Sequence, residues 1–370
     1  MKDFAKKLID WHQQHGRKGL PWQGLKDPYK VWLSEIMLQQ TQVATVIDRY
    51  QTFLVKFPNV QTLAQAPLDE VMALWAGLGY YTRARNLHAC AKMILAQYAG
   101  QFPQLPEQLN QLPGIGQSTA RAIAAFCFNH PASILDANVQ RLIARTHGIQ
   151  GSLKTRAENQ KLWILADNLL PKDAQLMPTY TQALMDFGAT VCKPTSPACQ
   201  NKFSSSCIYL ADCLAFKDQT VLQIPLKIKK VPSKIVVSEM LLMMDEENIL
   251  LEKRPHSGIW GGLWTLPETP WVEIKSEKEV SQVEFKIDQF RHLISLANPA
   301  AYQQGRVLAP HKHVFTHRTL YFSTRIVKVS KTEVEWNDAC HWIKLSELAS
   351  IGLPTPVKKL LEDFQLLDRV

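Results

Sequence analysis

The feature that most constrains this chain is a change of hydrophobic period partway along it. Up to about Phe216, apolar residues recur three and four apart, as in Trp32, Ile36, Val43, Ile47 and Tyr50. That spacing puts them on one face of a helix. Proline and glycine punctuate the region at KFPNV, GLGYY, QFPQLPEQ, QLPGIG and NHPAS. The helices between are short, roughly ten of them at ordinary helix lengths. From Lys234 the pattern becomes strand-like, in KIVVSEMLLMM, NILLEKR and VFTHRTLYFSTRIVKV. A last helix follows PTP, at Pro356. Residues 217–233 are basic, proline-interrupted and without period, which suits an extended linker. The expected plan is an α-helical region 1–216, a linker 217–233 and a smaller α/β domain 234–370, with no internal repeat.

The formal net charge of +9 favours a polyanionic partner, although a moderately basic enzyme without one would read the same. No apolar run approaches the ~20 residues of a spanning helix. The N-terminus MKDFAKKLIDWHQQHG has neither a signal-peptide core nor a cleavage site. A cytoplasmic monomer with no membrane association is expected. Of seven cysteines, Cys90, Cys127 and Cys340 read as packed thiols. Cys192, Cys199, Cys207 and Cys213 crowd into 22 residues. In a reducing compartment such a cluster points to metal more than to disulfides.

In LPGIGQSTARAI, a short helix from about Pro106 meets Gly114 and Gly116, and a second helix starts near Gln117. Glycine permits close backbone approach and positive φ. The free N–H groups of the second helix favour an anion such as phosphate. A ligand-free αα-turn is equally consistent with the motif. Asp136 ends the apolar run SILDANVQR and precedes a helix, so it is a helix cap or a carboxylate near whatever the hairpin holds. Glu35 lies in a helix rich in Trp, Ile, Met and Leu, with no Lys or Arg three or four residues away. It either faces solvent or is a partly buried acid with a raised pKa. Gln39, Gln40 and Gln42 beside it offer neutral amides that can read base edges. In GLGYYTRARNLH, Tyr80 and Tyr81 can wedge between bases and Arg83 and Arg85 can meet phosphates, or the tyrosines are simply an exposed pair at a solvated helix start.

Taken in order, LPWQ, SEIMLQQTQV, GLGYY, LPGIGQSTA, ILDANVQR and the four-cysteine tail resemble the MutY-type adenine DNA glycosylases. These belong to the helix-hairpin-helix superfamily together with endonuclease III. The resemblance spans nearly the whole chain. It implies removal of adenine mispaired with 8-oxoguanine or guanine in double-stranded DNA, with the base flipped from the stack. Glu35 then resembles the general acid that protonates adenine at N7, and Asp136 the carboxylate that stabilises an oxocarbenium-like sugar. Asn138 resembles a residue supporting Asp136. Leu38 and Gln40 fall in the duplex-probing segment, and Tyr80 resembles the wedge beside the oxidised guanine. Ser118 stands where bifunctional relatives keep a lysine. A hydroxyl forms no Schiff base, which implies a monofunctional enzyme.

The same resemblance implies a [4Fe-4S] cluster on Cys192, Cys199, Cys207 and Cys213. The family spacing is C-x6-C-x2-C-x5-C, but the gaps here are six, seven and five. An insertion around KFSSS accounts for the long middle gap; the other alignment puts Lys202 at a ligand position. Zinc competes for four cysteines, but the short C-x2-4-C knuckle it favours is missing. A filled loop could present Lys193 and Lys202 to phosphates. ILLEKRPHSGIWGGLWTLPE resembles the start of a MutT-like (Nudix) domain. The following TPWVEIKSEKEV lacks the Glu-rich helix that would bind Mg²⁺, since Glu277 and Glu279 are two apart. A recognition module without hydrolase activity is expected. Phe315, Thr316 and His317 match the family's 8-oxoguanine-reading loop, with Thr316 in place of Ser. His311, His313 and His317 are expected to face solvent on an edge strand. The alternatives are a glycosylase/lyase for another damaged base, or a catalytically silent DNA-damage binding module.

Overall fold

The computed structural model describes residues 3–153, 155–200, 206–226, 232–297 and 300–364. Among them, twelve α-helices precede the first strand: α1 (Phe4–His15), α2 (Pro28–Leu38), α3 (Val43–Lys56), α4 (Val60–Gln65), α5 (Leu68–Leu74), α6 (Thr82–Tyr98), α7 (Pro106–Leu109), α8 (Gln117–Phe128), α9 (Ala137–Thr146), α10 (Arg156–Asn168), α11 (Met177–Thr190) and α12 (Leu214–Lys217). The chain forms two compact units. One holds the residues up to Gln65 and those from Asn86 to 226; the other holds 66–85 and the chain from 232.

In the first unit, α1, α9, α10 and α11 pack around Leu8, Trp11, Val139, Leu142, Leu162, Tyr180, Leu184 and Phe187. Trp11 meets Phe187 edge-on at 4.9 Å, and Phe4 stacks on Tyr209 at 4.6 Å. Burying each such large side chain contributes about 1.5–3 kcal/mol. Val221 and Ile224, inside the stretch expected to be linker, are buried in this same core. Their apolar side chains find a surface that basic, proline-rich neighbours hide from a sequence reading. Residues 227–231 of that stretch lie outside the described residues.

The second unit is built on a sheet. Its strands are β1 (Lys234–Met244), β2 (Asn248–Lys253), β3 (Trp264–Thr265), β4 (Val272–Ile274), β5 (Ile294–Leu296), β6 (Arg306–Val314), β7 (Arg318–Lys328), β8 (Val334–Trp336) and β9 (Cys340–Lys344). The main sheet runs β3-β2-β1-β7-β6, with β4 paired to β1 and β9 to β2; β5 and β8 form a separate pair. β1 lies parallel to β7 from Lys234 opposite Arg318 to Met244 opposite Lys328. Being buried on both faces, it reads as a nearly unbroken apolar run. The strand-like VFTHRTLYFSTRIVKV is interrupted after Val314 by a turn, which the Phe315 N–H closes by donating to the Arg318 carbonyl at 2.8 Å. Glu277 and Glu279 lie in a short 3-10 segment, Glu277–Gln282, where Glu277 pairs with Lys312 at 2.9 Å.

Candidate active site

α2 starts at Asp27, whose side chain accepts the Tyr29 N–H at 3.0 Å, with Pro28 at the first helical position. The helix is almost wholly buried through Val31, Trp32, Leu33, Ser34, Ile36 and Met37. Glu35, within that buried run, is only half-buried. It lines a cavity of about 400 Å³ in the first unit, together with Trp22, Leu38, Arg17, His12 and Gln182. A volume of that order suits a small planar group. Burial first and the charge of Asp136 second together raise the Glu35 pKa to about 8. Glu35 therefore holds its proton at neutral pH.

Asp136 caps α9. Its Oδ1 accepts the N–H groups of Asn138 and Val139, both at 2.8 Å, while Oδ2 has no protein donor among the described residues. Burial raises its pKa, whereas those two N–H bonds and the Arg141 guanidinium oppose the rise. The cap role and the charge role of Asp136 thus coexist on different oxygens. Arg141 donates to Asn138 Oδ1 at 2.9 Å and to the Gly188 carbonyl at 2.8 Å. A side chain at Gly188 would come within 2.8 Å of the Asn138 Cβ, so glycine there lets α11 press against the start of α9. The Ser118 hydroxyl accepts the Leu135 N–H at 3.1 Å and fixes the residue before Asp136 to α8. In the hairpin, Gly114 has φ of +76°, and a Cβ there would meet Asn86 at 2.7 Å. Gly116 caps α8 with open space around it.

One group escaped the sequence reading. Asp186, fully buried on α11, accepts the Arg17 N–H at 2.9 Å, the Arg17 Nε–H at 2.7 Å and Gln182 at 2.9 Å. His12 Nε2 lies 3.2 Å from it. Burial would raise the Asp186 pKa, but hydrogen bonds from His12, Arg17 and Gln182 hold it below the usual carboxylate value. This carboxylate orients Arg17 and Gln182 in the lining of the Glu35 cavity. The signal that singled out Glu35, an acid inside an apolar helix, was present in QALMDFGAT as well.

The second unit gathers Tyr80, Thr316 and His317 around a cavity of about 510 Å³. Tyr80 Oη and Thr316 Oγ1 are 3.0 Å apart. Tyr80 has φ of 46°, and Gln40, exposed just beyond α2, has φ of 56°. Left-handed backbone at non-glycine residues costs of order 1–3 kcal/mol and clusters at functional sites. Arg83 and Arg85 do not face outward as phosphate ligands. Arg83 donates to the carbonyls of Leu78 at 2.7 Å and Gly79 at 3.1 Å, and Arg85 to that of Gly261. A tight loop leaves carbonyls that need donors, and these arginines supply them. Nor do His311 and His313 face solvent. His311 stacks on Phe322 at 5.4 Å, and His313 packs edge-on against Phe315 at 4.6 Å, with burial lowering its pKa. His317 is exposed.

Cys192, Cys199, Cys207 and Cys213 line one small apolar cavity with Arg145, Phe187 and Tyr209. Among the described residues no three His, Cys, Asp or Glu side chains are arranged to hold one metal ion. A cubane cluster makes a different demand, because each thiolate binds its own iron and the sulfurs stay apart. The surrounding charge also suits an anionic cluster. Arg145 is buried, donates to the carbonyls of Ile224 and Lys193 at 2.9 and 2.7 Å, and approaches Cys192 Sγ at 3.5 Å. No carboxylate pairs with it among the described residues. Lys193 is exposed, and Lys202 lies outside the described residues. The other three thiols are packed as expected, and burial pushes Cys90, Cys127 and Cys340 up to about 12.

Residues 33–165 match the HhH-GPD superfamily of base excision DNA repair proteins, and 239–363 match the NUDIX domain. The chain thus joins a base-excision DNA repair glycosylase domain to a NUDIX-type domain. The chain is 35% identical over 363 residues to the adenine DNA glycosylase of Buchnera aphidicola subsp. Baizongia pistaciae, spanning 97% of this chain and 95% of that one. It is 30% identical over 418 residues to the human adenine DNA glycosylase, spanning 98% and 74%. Among solved structures, a thermostable thymine-DNA glycosylase is 28% identical with a TM-score of 0.52, covering 59% of this chain and 96% of that one. The chain belongs to the adenine DNA glycosylase family, hydrolases of N-glycosyl bonds in base excision repair.

Proposed function

We propose that this enzyme excises adenine opposite 8-oxoguanine or guanine in double-stranded DNA, as a monomeric and monofunctional glycosylase. The observation that carries the reading is the pairing of two carboxyl groups in different settings: Glu35, pushed up to about 8 in its cavity, and Asp136, where two N–H bonds and Arg141 work for the ionised form against burial and Oδ2 is left open. Adenine leaves poorly as an anion. Proton donation from Glu35 to N7 removes that obstacle, and the Asp136 charge stabilises the cationic sugar that develops. Ser118 offers no amine, and its hydroxyl is committed to Leu135. The open N-terminus of α8 behind Gly114 and Gly116 suits a DNA phosphate. Leu38 and Gln40 probe the duplex, and Tyr80, Thr316 and His317 read the oxidised guanine. When loaded, a [4Fe-4S] cluster on Cys192, Cys199, Cys207 and Cys213 fixes the loop beside Arg145 and Lys193. About four irons and four sulfides per chain are expected; one zinc per chain would replace this reading.

Duplexes carrying adenine opposite 8-oxoguanine, adenine opposite guanine, and oxidised thymine test the activity. Adenine release with strand breaks only after alkali is expected, with no borohydride-trapped adduct. Direct breaks would make the enzyme a lyase, and tight binding without release would leave a damage-binding module. In the same assay, Thr316→Ala should shrink the preference for 8-oxoguanine over guanine by several-fold, because one hydroxyl bond is worth about 1 kcal/mol. An unchanged preference would remove Thr316 from the reading loop.

A further inference from the structure

The turn that joins β2 to β3 holds a backbone conformation that the excision chemistry does not use. Trp260 has φ of 55°, in the left-handed region that favours glycine, and it is only 8% exposed. A bulky residue there is an outlier, and such strain gathers at functional sites. The turn around it is tight. The Gly262 N–H donates to the carbonyls of Arg254 and Pro255 at 3.2 and 3.0 Å, and the Leu263 N–H to that of Trp260 at 3.0 Å. A Cβ at Gly261 would come within 2.6 Å of the His256 carbonyl oxygen. What the strained position gains is the placing of one ring. The Trp260 ring lies 5.4 Å from that of Phe315, 5.8 Å from His313 and 6.2 Å from Trp271. Trp271 itself stacks on Phe315 at 5.9 Å, so two indoles hold the residue next to Thr316. On the other side, Arg85 of α6 donates to the Gly261 carbonyl. One turn therefore contacts both the segment that carries Tyr80 and the loop that carries Thr316. Filling a core asks only for an apolar side chain, which ordinary backbone supplies.

We infer that Trp260 is a positioning residue for recognition of the oxidised guanine. Its ring holds Phe315, and through Phe315 it fixes the Thr316 hydroxyl 3.0 Å from Tyr80 Oη. The inference rests on the reading of 8-oxoguanine by Thr316 and adds to it a residue that acts through another.

Single-turnover excision by the full chain, from duplexes with adenine opposite 8-oxoguanine and opposite guanine, tests it. The ratio of the two rates should fall several-fold in Trp260→Ala and in Trp260→Gly, as far as in Thr316→Ala, while the rate opposite guanine stays close to the parent's. Trp260→Phe keeps a ring against Phe315 and should keep most of the ratio. Adding Thr316→Ala to Trp260→Ala should cost little more, because both act on one hydroxyl. Stability separates ring from backbone. Glycine accepts φ of 55° and alanine does not, so Trp260→Gly should melt higher than Trp260→Ala at the same loss of ratio. Exchange of the Phe315 amide hydrogen, which closes the loop on the Arg318 carbonyl, should quicken in both. If both truncations fail to fold, Trp260→Leu, which keeps bulk without a ring, carries the same expectations. The inference is overturned if a folded truncation keeps the parental ratio. It also fails if the double variant loses the product of the two single losses, or if the ratio simply follows the thermal midpoint across the variants. A parent enzyme with no preference for 8-oxoguanine would overturn the Thr316 reading itself.

Discussion

Glu35→Gln is expected to slow adenine release by about 10²–10⁴-fold while making the protein more stable at neutral pH. Glutamine keeps the shape and a hydrogen-bonding N–H, but it has no proton to give up to the leaving base. The stability gain follows from linkage. Burial holds the folded Glu35 pKa at about 8, against 4.5 for the free side chain. Below 4.5 both states carry the proton and nothing is lost. Between 4.5 and about 8 the unfolded chain ionises while the folded one stays protonated, so Glu35 increasingly favours unfolding. At pH 7 this is on the order of 3 kcal/mol. Glutamine removes it, so the variant's thermal midpoint should exceed the parent's clearly at pH 7–8 and hardly at pH 4.5. The parent's single-turnover rate should itself decline as pH rises through about 8. Full activity in the variant would take Glu35 out of the chemistry. A stability gain independent of pH would show that ionisation of Glu35 is not its source.

Much of this site was legible because each signal was local. Glu35 stood out as an acid in an apolar helix, and Asp136 as an acid between an apolar run and a helix. Asp186 carries the first of these signals too, but its meaning depends on Arg17, 169 residues earlier in sequence, and no local pattern joins α11 to the end of α1. Arg83 and Arg85 were misread for a related reason. A basic residue beside paired tyrosines looks the same in sequence whether it faces a phosphate or satisfies the carbonyls of its own turn. Alternation placed His311 and His313 on one side of β6, but the covering rings of Phe322 and Phe315 become visible only when the hairpin folds. Likewise, the helical period of 66–85 gives its local structure, not its membership of the sheet-based unit.

Asp136 allows its two roles to be separated by substitution. In Asp136→Asn the side chain still offers Oδ1 to the N–H groups of Asn138 and Val139, which lie 2.8 Å from the carboxylate in the parent. Asn and Asp cap helices about equally well, and because burial leaves the Asp136 pKa raised overall, removing its charge should cost no stability at neutral pH. The charge opposite the developing sugar cation is gone, and single-turnover excision should drop about 10²–10³-fold. Asp136→Ala loses the cap as well, costing about 1 kcal/mol more. The two variants should therefore share an activity defect and differ in stability. Asp136→Asn would also relieve Glu35. The Asp136 charge is one cause of the raised Glu35 pKa, so its removal lets Glu35 ionise more easily. The alkaline decline of the residual rate should then begin at lower pH than in the parent. If Asp136→Asn excises adenine at the parental rate, Asp136 is a cap and nothing more. If the rate drops but the alkaline limb stays put, the two carboxyl groups act without sensing one another.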